Sequence, residues 1–112
     1  MKQEIIRKKG EILSALAHPL RLRILDKLRE GPCCVCKIIP YVGGEQSNVS
    51  HHLAILRRAH IVQSEKRGIE VWYRVTDQRV YGIIDQLENL VLRDLRESTT
   101  LLAAIEEKED ER

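Results

Sequence analysis

The feature that most constrains the fold is a change of hydrophobic period near the middle of the chain. Before residue 60, apolar residues such as Leu20, Ile24 and Leu28 recur at helical spacing, and Gly43-Gly44 interrupts this pattern. The segment 61–75 is instead rich in Val, Ile, Trp and Tyr on both sides of Arg67-Gly68, which predicts a β-hairpin. We therefore expect several short helices followed by one hairpin.

A long helix is predicted after the hairpin. No proline occurs from Asp77 to Glu107, and the side chain of Thr76 or Asp77 can cap the first turn. Apolar residues continue at helical spacing through this segment; they are Val80, Ile83, Ile84, Leu87, Leu90, Val91, Leu95, Leu101, Leu102 and Ile105. A helix with this much apolar surface needs a partner.

The predicted fold is mainly α with a small β-hairpin, in the order α-α-α-α-β-β-α, within one domain over residues 1–112. The third helix is expected to begin near Pro32–Cys33 and to stop before Pro40, or within a residue or two of these positions, because proline disfavours the helical conformation in the residue before it. Two helices over about 33–59, with a tight glycine turn between them and a hairpin over about 61–75 after them, form a winged helix-turn-helix.

Composition limits the compartment and the class of protein. The chain has 112 residues, of which 43% are apolar and 32% are charged, as in a folded, helix-rich domain. No apolar run is long enough to cross a bilayer, and the basic start of the chain is not followed by the apolar segment of a secretory signal. We therefore expect a cytoplasmic protein with no membrane partner, in which thiols stay reduced.

Charge is distributed unevenly along the chain. Residues 20–75 carry ten Lys/Arg against five Asp/Glu, whereas residues 76–112 carry five against ten. A basic middle followed by an acidic tail indicates that the middle faces a polyanion, although ordinary solvated charge would give the same counts.

The fourth predicted helix carries the residue types that read DNA. Short polar side chains occupy its amino-terminal end, where recognition helices contact base edges; they are Gln46, Ser47, Asn48, Ser50 and His51. Arg57 and Arg58 at the end of the same helix, with Lys66 and Arg67 at the hairpin tip, can contact phosphates. Each polar residue taken singly is also explained by helix capping or by solvation. Together they predict a surface for double-stranded DNA.

The segments "ALAHPLRLRILDKL" and "NVSHHLAILRRAHIV", followed by a basic hairpin, resemble the ArsR/SmtB family of winged-helix repressors over about residues 11–95. The resemblance implies a homodimer built largely from helices over about 3–17 and 77–107, which binds an operator when ligand-free and releases it on sensing. His60 stands where the family commonly has glycine, and histidine enters the left-handed region more readily than most residues.

All three cysteines lie in "GPCCVCKIIP", at Cys33, Cys34 and Cys36. Thiolates are soft ligands for As(III), Cd and Pb, and "CVC" resembles the third-helix metal motif of the family's arsenic and cadmium/lead sensors. The arsenic sensor's third thiol falls here at Ile39, whereas the extra cysteine precedes the pair. On an ideal helix Cys34 and Cys36 project about 200° apart, while Cys33 and Cys36 share a face. Three-thiol binding therefore requires the first turn to unwind, which would shift the next helix.

Two other interpretations of the cysteines stay open. A Cys-x-x-Cys motif at a helix amino terminus has lowered thiol pKa values, which suits a redox or reactive-sulfur sensor. The three residues can also be small buried hydrophobes.

The family's second metal site, on the last helix, uses Asp and His. Asp77 is present but no histidine follows His60, so we do not expect that site.

We assign His51 and His52 to DNA, because adjacent side chains on a helix point in different directions and chelate poorly.

The sequence predicts no enzyme and no organic cofactor, since it holds no phosphate-binding glycine loop, dinucleotide fingerprint or nucleophile–base constellation. A protein-interaction module on the same scaffold is a further class, because a fold alone does not establish function. Steeply salt-dependent DNA affinity would distinguish a repressor from such a module.

Overall fold

The computed structural model describes residues 2–110. Within that range the order of elements agrees with the predicted winged helix-turn-helix, except for one additional short strand. The elements are α1 (Lys2–Leu16), α2 (Pro19–Leu28), β1 (Cys33–Cys34), α3 (Val35–Val42), α4 (Gln46–Arg58), β2 (Val62–Arg67), β3 (Glu70–Val75) and α5 (Arg79–Asp110). The chain divides into two compact units, one ending at Gln78 and one beginning at Arg79.

The core of the first unit lies between α2, α3, α4 and the base of the hairpin. Its fully buried side chains include Ile24 and Leu25 of α2, Ile38 of α3, Leu53 of α4 and Val62 of β2. These residues are the apolar stripes of their elements, and burying each side chain of this size stabilises the fold by about 2 kcal/mol. The helix-turn-helix is therefore held from its inner side, which leaves its outer side free for contacts.

Local sequence signals determine where α2 begins and where α4 ends. His18 is the N-cap of α2, and its Nδ1 accepts a hydrogen bond from the Leu20 N–H at 3.0 Å, with Pro19 in the first turn. At the end of α4, His60 has φ 61°, and the Ile61 N–H donates to the Leu56 carbonyl at 3.0 Å. This is a Schellman motif with histidine in the position that favours glycine. The left-handed conformation expected of His60 is confirmed.

Helix α3 begins and ends about two residues later than the positions at which it was predicted to begin and stop, within the margin of that prediction. The helix begins at Val35, because Cys33 and Cys34 pair in antiparallel register with Tyr73 and Trp72 as strand β1. It then continues through Pro40 to Val42, because Gly43 adopts φ 71° and its N–H caps the carbonyl of Ile39 at 3.1 Å. Pro40 removes only one backbone donor near the end of an eight-residue helix, so the last turn survives.

The hairpin is the wing of this fold, and β3 is its central strand. The strand order β1-β3-β2 places the cysteine strand on one edge of β3 and the rest of the wing on the other. Arg67 pairs with Glu70, so the turn consists of Gly68 and Ile69, with φ 65° at Gly68. A positive φ at the first central position is what a type II′ hairpin turn requires.

Helices α1 and α5 leave most of their apolar residues exposed. In α1 the buried residues are Ala15 and Leu16, whereas Ile5, Ile6 and Leu13 are at least half exposed. Along α5 the exposed apolar residues are Ile83, Leu87, Leu90, Val91, Leu92, Leu95, Leu101, Leu102 and Ile105. Over residues 2–110 no helix is both long and apolar enough to cross a membrane.

Candidate DNA-binding surface and thiol cluster

The first two turns of α4 carry exposed polar side chains around one buried apolar residue. Gln46, Ser47, Asn48, Ser50 and His51 are all exposed, whereas Val49 between them is fully buried. The helix begins at Gln46 after the extended N-cap Glu45, so these side chains occupy its amino-terminal end. The five predicted base-reading residues are thus all accessible at the amino-terminal end of the helix. Whether they contact bases stays a prediction.

The close approach of the two helices depends on the glycine turn between them. A Cβ atom at Gly44 would lie 3.0 Å from Cγ2 of Val49, a fully buried residue of α4. Glycine is therefore needed at this position to seat the first turn of α4 against the core.

The four predicted phosphate contacts occupy two places. Arg57 and Arg58 are exposed in the last turn of α4, and Lys66 and Arg67 are exposed at the end of β2 beside the wing turn. The Arg67 guanidinium lies 4.2 Å from the Trp72 ring centroid. A cation held over a ring keeps a defined direction.

The assignment of His52 to DNA is wrong. Its side chain is buried, with Nδ1 2.9 Å from Nη1 of Arg21 and its ring centroid 4.2 Å from that of His18. Because a guanidinium only donates hydrogen bonds, Nδ1 of His52 must accept, which requires a neutral ring in this contact. Burial lowers the pKa of His52, and electrostatic interactions with His18, Arg21 and His51 lower it further.

We call His18, Arg21 and His52 the imidazole cluster, and it joins three helices. Besides His52 in α4, Arg21 in α2 donates through Nε to the carbonyl of Ala15 in α1 at 2.6 Å. It therefore sets the position of α4 against α1 and α2. The burial of His52 could have been predicted from the sequence, because residue 52 falls on the apolar stripe formed by Val49, Leu53 and Leu56.

Cys34, Cys36 and Glu70 form what we call the thiol cluster. Cys34 is the extended N-cap of α3, its Sγ accepts a hydrogen bond from the Cys36 N–H at 3.0 Å, and the two cysteines are joined by a disulfide. Oε2 of Glu70 lies 3.1 Å from Sγ of Cys34 and 3.3 Å from Sγ of Cys36. One donor atom from each residue lies within 4.8 Å of the other two, a spacing that can hold a metal ion.

The expected geometry of the three cysteines is wrong, because it assumed that all three lie on a helix. Cys34 is extended, so its sulfur meets that of Cys36 without any unwinding of α3. Cys33 does not share a face with Cys36: it is a buried strand residue, and its Sγ donates to the carbonyl of Cys34 at 3.5 Å. Neighbouring strand residues point to opposite faces, which separates Cys33 from the cluster.

Glu70 was not among the predicted ligands. It stands at the start of β3 and reaches the cysteines through the pairing of β1 with β3. That pairing joins segments almost forty positions apart, and no local pattern reveals it.

Beside the cluster lies an open cleft of about 470 Å³, lined by residues of α3, α4 and the wing.

Comparison with known proteins places these features in one family. The family described as bacterial regulatory protein, arsR family, matches residues 18–64. The chain is 44% identical to an uncharacterized HTH-type transcriptional regulator of Methanocaldococcus jannaschii, over 74% of this chain and 94% of that protein. It is 34% identical to the arsenical resistance operon repressor of Bacillus subtilis, over 76% of this chain and 82% of the repressor.

Other matches extend beyond this chain or confirm the fold. The HTH-type transcriptional repressor SmtB of Mycobacterium tuberculosis is 40% identical over 73% of this chain, which spans 61% of that repressor's length. The crystal structure of Rv0081 from M. tuberculosis superimposes with a TM-score of 0.75 at 30% identity, over 85% of this chain and 96% of that one.

Proposed function

This chain belongs to the arsR family of bacterial regulatory proteins, and from that premise we propose that it is a cytoplasmic, homodimeric repressor that releases its operator when a thiophilic ion binds the thiol cluster. Membership of the family makes it a DNA-binding transcriptional regulator and not an enzyme. The observation that carries the specific proposal is the position of a soft ligand pair, Cys34 and Cys36, beside the exposed face of α4.

DNA recognition would use the two faces described above. Gln46, Ser47, Asn48, Ser50 and His51 would read base edges in the major groove, because short polar side chains at a recognition helix's amino-terminal end reach them. Arg57, Arg58, Lys66 and Arg67 would hold phosphates on either side. The stacking of Arg67 on Trp72 supports a fixed wing direction.

The dimer would form through the apolar faces of α1 and α5. Exposed Ile and Leu residues repeat along both helices, and a second copy of this chain would bury them. A charged substitution at Leu90, such as Leu90→Glu, should lower the dimer fraction in sedimentation velocity, whereas Glu88→Gln on the same helix should not. An unchanged dimer in Leu90→Glu would remove α5 from the interface.

The inducer would bind the reduced form of Cys34 and Cys36, with the Glu70 carboxylate as a third ligand. Thiolates prefer soft ions of the As(III), Cd and Pb type, and the likeness to the arsenical resistance operon repressor of B. subtilis supports the metalloid. The third predicted ligand, Cys33, could join only if β1 left β3, because neighbouring strand residues point to opposite faces and its side chain is directed away from that of Cys34.

An ion held in this way would connect the sensor to the wing directly. Glu70 is the first residue after the wing turn, and Cys36 lies in α3, the helix that precedes α4. Binding would draw the start of β3 toward α3, and the angle between wing and recognition helix would change. The sequence had suggested distortion of residues 33–37 alone; Glu70 adds the wing as a second output.

The test is fluorescence anisotropy of the reduced protein on DNA from its own upstream region. Affinity should fall steeply as salt rises from 50 to 200 mM, by roughly 10³-fold for six phosphate contacts. Arsenite or cadmium at micromolar concentration should release the DNA. Salt-independent binding would contradict a DNA-binding role, and binding unaffected by both ions would contradict ion sensing.

A second candidate is redox sensing, and the Cys34–Cys36 disulfide favours it. The two thiols would lose two electrons and two protons to a peroxide, which becomes two waters (or one water and an alcohol). The disulfide would then replace the ion as the release signal. Release by peroxide in metal-free buffer, reversed by a trialkylphosphine, would establish this candidate, whereas release by ions alone would exclude it.

A further inference from the structure

We propose that the thiol cluster and its cleft bind trivalent arsenic that carries one apolar organic substituent, in preference to inorganic arsenite. The inference rests on the proposed function, because it requires Cys34 and Cys36 to capture a thiophilic centre. It adds the chemical class of the inducer and the place where its organic group lies.

The number of available thiols favours a centre with two exchangeable positions. The sulfurs of Cys34 and Cys36 lie together, whereas Cys33 is outside this group and its sulfur donates to a backbone carbonyl. Glu70 offers oxygen, which is a harder ligand than sulfur. Arsenite has three exchangeable oxygens and would leave one unmatched by a thiol. An arsenical with one carbon substituent has two, which the pair satisfies completely.

The cleft provides a place for the carbon substituent. Apolar side chains contribute to its lining; they include Ile39 of α3, Leu53 of α4 and Val71 of β3. Its volume of about 470 Å³ is ample, since a cavity of about 150 Å³ lined by apolar side chains holds benzene. Ile69 at the wing turn lines the same cleft with a fully exposed side chain, which an apolar group would partly cover.

The reaction is a ligand exchange without electron transfer. The dithiol form of the protein and R–As(OH)₂ form two As–S bonds as two As–O bonds break. The two thiol protons leave with the two hydroxyl groups as two waters, and arsenic stays trivalent throughout. The Glu70 carboxylate, 3.1 and 3.3 Å from the two sulfurs, is placed to accept each thiol proton before it passes to the leaving hydroxyl group.

Occupancy of the cleft would act on DNA binding at short range. Gln46 and Ser50, two of the proposed base-reading residues, line its rim together with Glu70 of the wing. A substituent placed there would occupy the space between recognition helix and wing. Larger apolar substituents should therefore both bind more tightly and release DNA more completely.

The test compares arsenite, methylarsonous acid and phenylarsonous acid on the full chain bound to its promoter DNA, kept reduced with a trialkylphosphine. The concentration for half-release should fall in that order, with phenyl at least about tenfold below arsenite. For each organic arsenical, the half-release concentration is divided by that of arsenite. This ratio is then divided by the corresponding ratio of dissociation constants for free dithiothreitol, so that intrinsic arsenic–dithiol affinity cancels. Ile39→Gln, which makes the cleft polar, should bring the phenyl-to-arsenite ratio within about threefold of the dithiothreitol value.

Each outcome separates this inference from the function on which it rests. If arsenite releases DNA as well as the phenyl compound, the inference is overturned while ion sensing stands. A phenyl preference that survives in both Ile39→Gln and Ile69→Ser also overturns it, because the cleft is then not the binding place. If no arsenical releases DNA, this inference fails, and release by cadmium then decides whether the proposed ion sensing stands.

Discussion

The thiol cluster and the imidazole cluster are both polar groups that join distant elements of the same unit, yet their surroundings differ. In the imidazole cluster the Arg21 donors meet the Ala15 carbonyl and a buried ring nitrogen of His52. In the thiol cluster two sulfurs and one exposed carboxylate meet at an open cleft. The first group is closed by its hydrogen bonds, while the second still has room and ligand capacity for another species.

This difference teaches that residue type alone does not identify a sensing site. Histidine and cysteine are both common metal ligands, and both occur here as adjacent pairs in the helix-turn-helix. A buried group whose hydrogen bonds are satisfied gains little from a ligand, because it would first lose its partners. An accessible group with soft donors gains a bond without that loss.

The largest expected effect is on the thiol cluster. Cys36→Ser should raise the arsenite concentration for half-release of DNA at least about 100-fold, because it removes a soft ligand. The side chain is exposed, so folding should be unaffected. Cys33→Ser is the matched control and should stay within about threefold of the unsubstituted protein. An equal loss in both variants would restore the three-cysteine site that the helical geometry had suggested.

A large effect is also expected in the imidazole cluster, but on stability. His52→Ala should lower the free energy of unfolding by about 2 kcal/mol, because it leaves a cavity and an Arg21 donor without its acceptor. His51→Ala, one position earlier and exposed, should change it by less than about 0.5 kcal/mol. Urea unfolding at fixed protein concentration measures both. Similar values for the two variants would contradict the structural role of His52.

A smaller effect is expected from the carboxylate of the thiol cluster. Glu70→Gln should raise the cadmium concentration for half-release about tenfold, since it removes a charged ligand while keeping the shape. Glu65→Gln removes the same charge from the other strand of the wing, where the carboxylate pairs with Arg67. DNA affinity in the two variants is compared first, and then the release by cadmium. If both variants shift equally, the effect is only one of wing charge.

The smallest effect is on the pH dependence of stability. The pKa of His52 is lowered in the folded state, so the unfolded chain binds more protons as pH falls below about 6.5. The stabilisation is therefore complete above pH 6.5 and is lost as pH falls toward the lowered pKa. The groups that face the ring are His18, Arg21 and His51. Urea unfolding at pH 7.5, 6.5 and 5.5 should show a shallower decline in His52→Gln, and an identical slope would contradict this linkage.

Signals that act over a few residues predicted their structures well. The glycine turn at Gly43-Gly44, the hairpin around Gly68 and the left-handed His60 all follow from backbone preferences of single residues. The exposed polar face of α4 follows from helical periodicity in the same way. These features depend on neighbours within one turn, so they are legible in the sequence.

Signals that depend on pairing between distant segments were missed or misassigned. Strand β1 has only two residues, and it forms because they pair with Trp72 and Tyr73. The local sequence does not show this pairing, so a helix was predicted there instead. The same pairing brings Glu70 to the sulfurs and turns Cys33 into the core. His52 is a different case, because its place on the apolar stripe of α4 indicated burial, and only its partner in α2, Arg21, could not be located from spacing along the helix.

Local sequence patterns were sufficient to predict the winged helix-turn-helix, the polar face of α4 and the thiol-rich segment before it. Hydrophobic period and turn residues carry that information locally. Strand pairing and helix packing bring the sulfurs of Cys34 and Cys36 together, place a wing carboxylate beside them and supply the partner of the buried His52. Those outcomes depend on strand register and on the packing of three helices. Both are set by the free energy of the whole core, and no short segment encodes them.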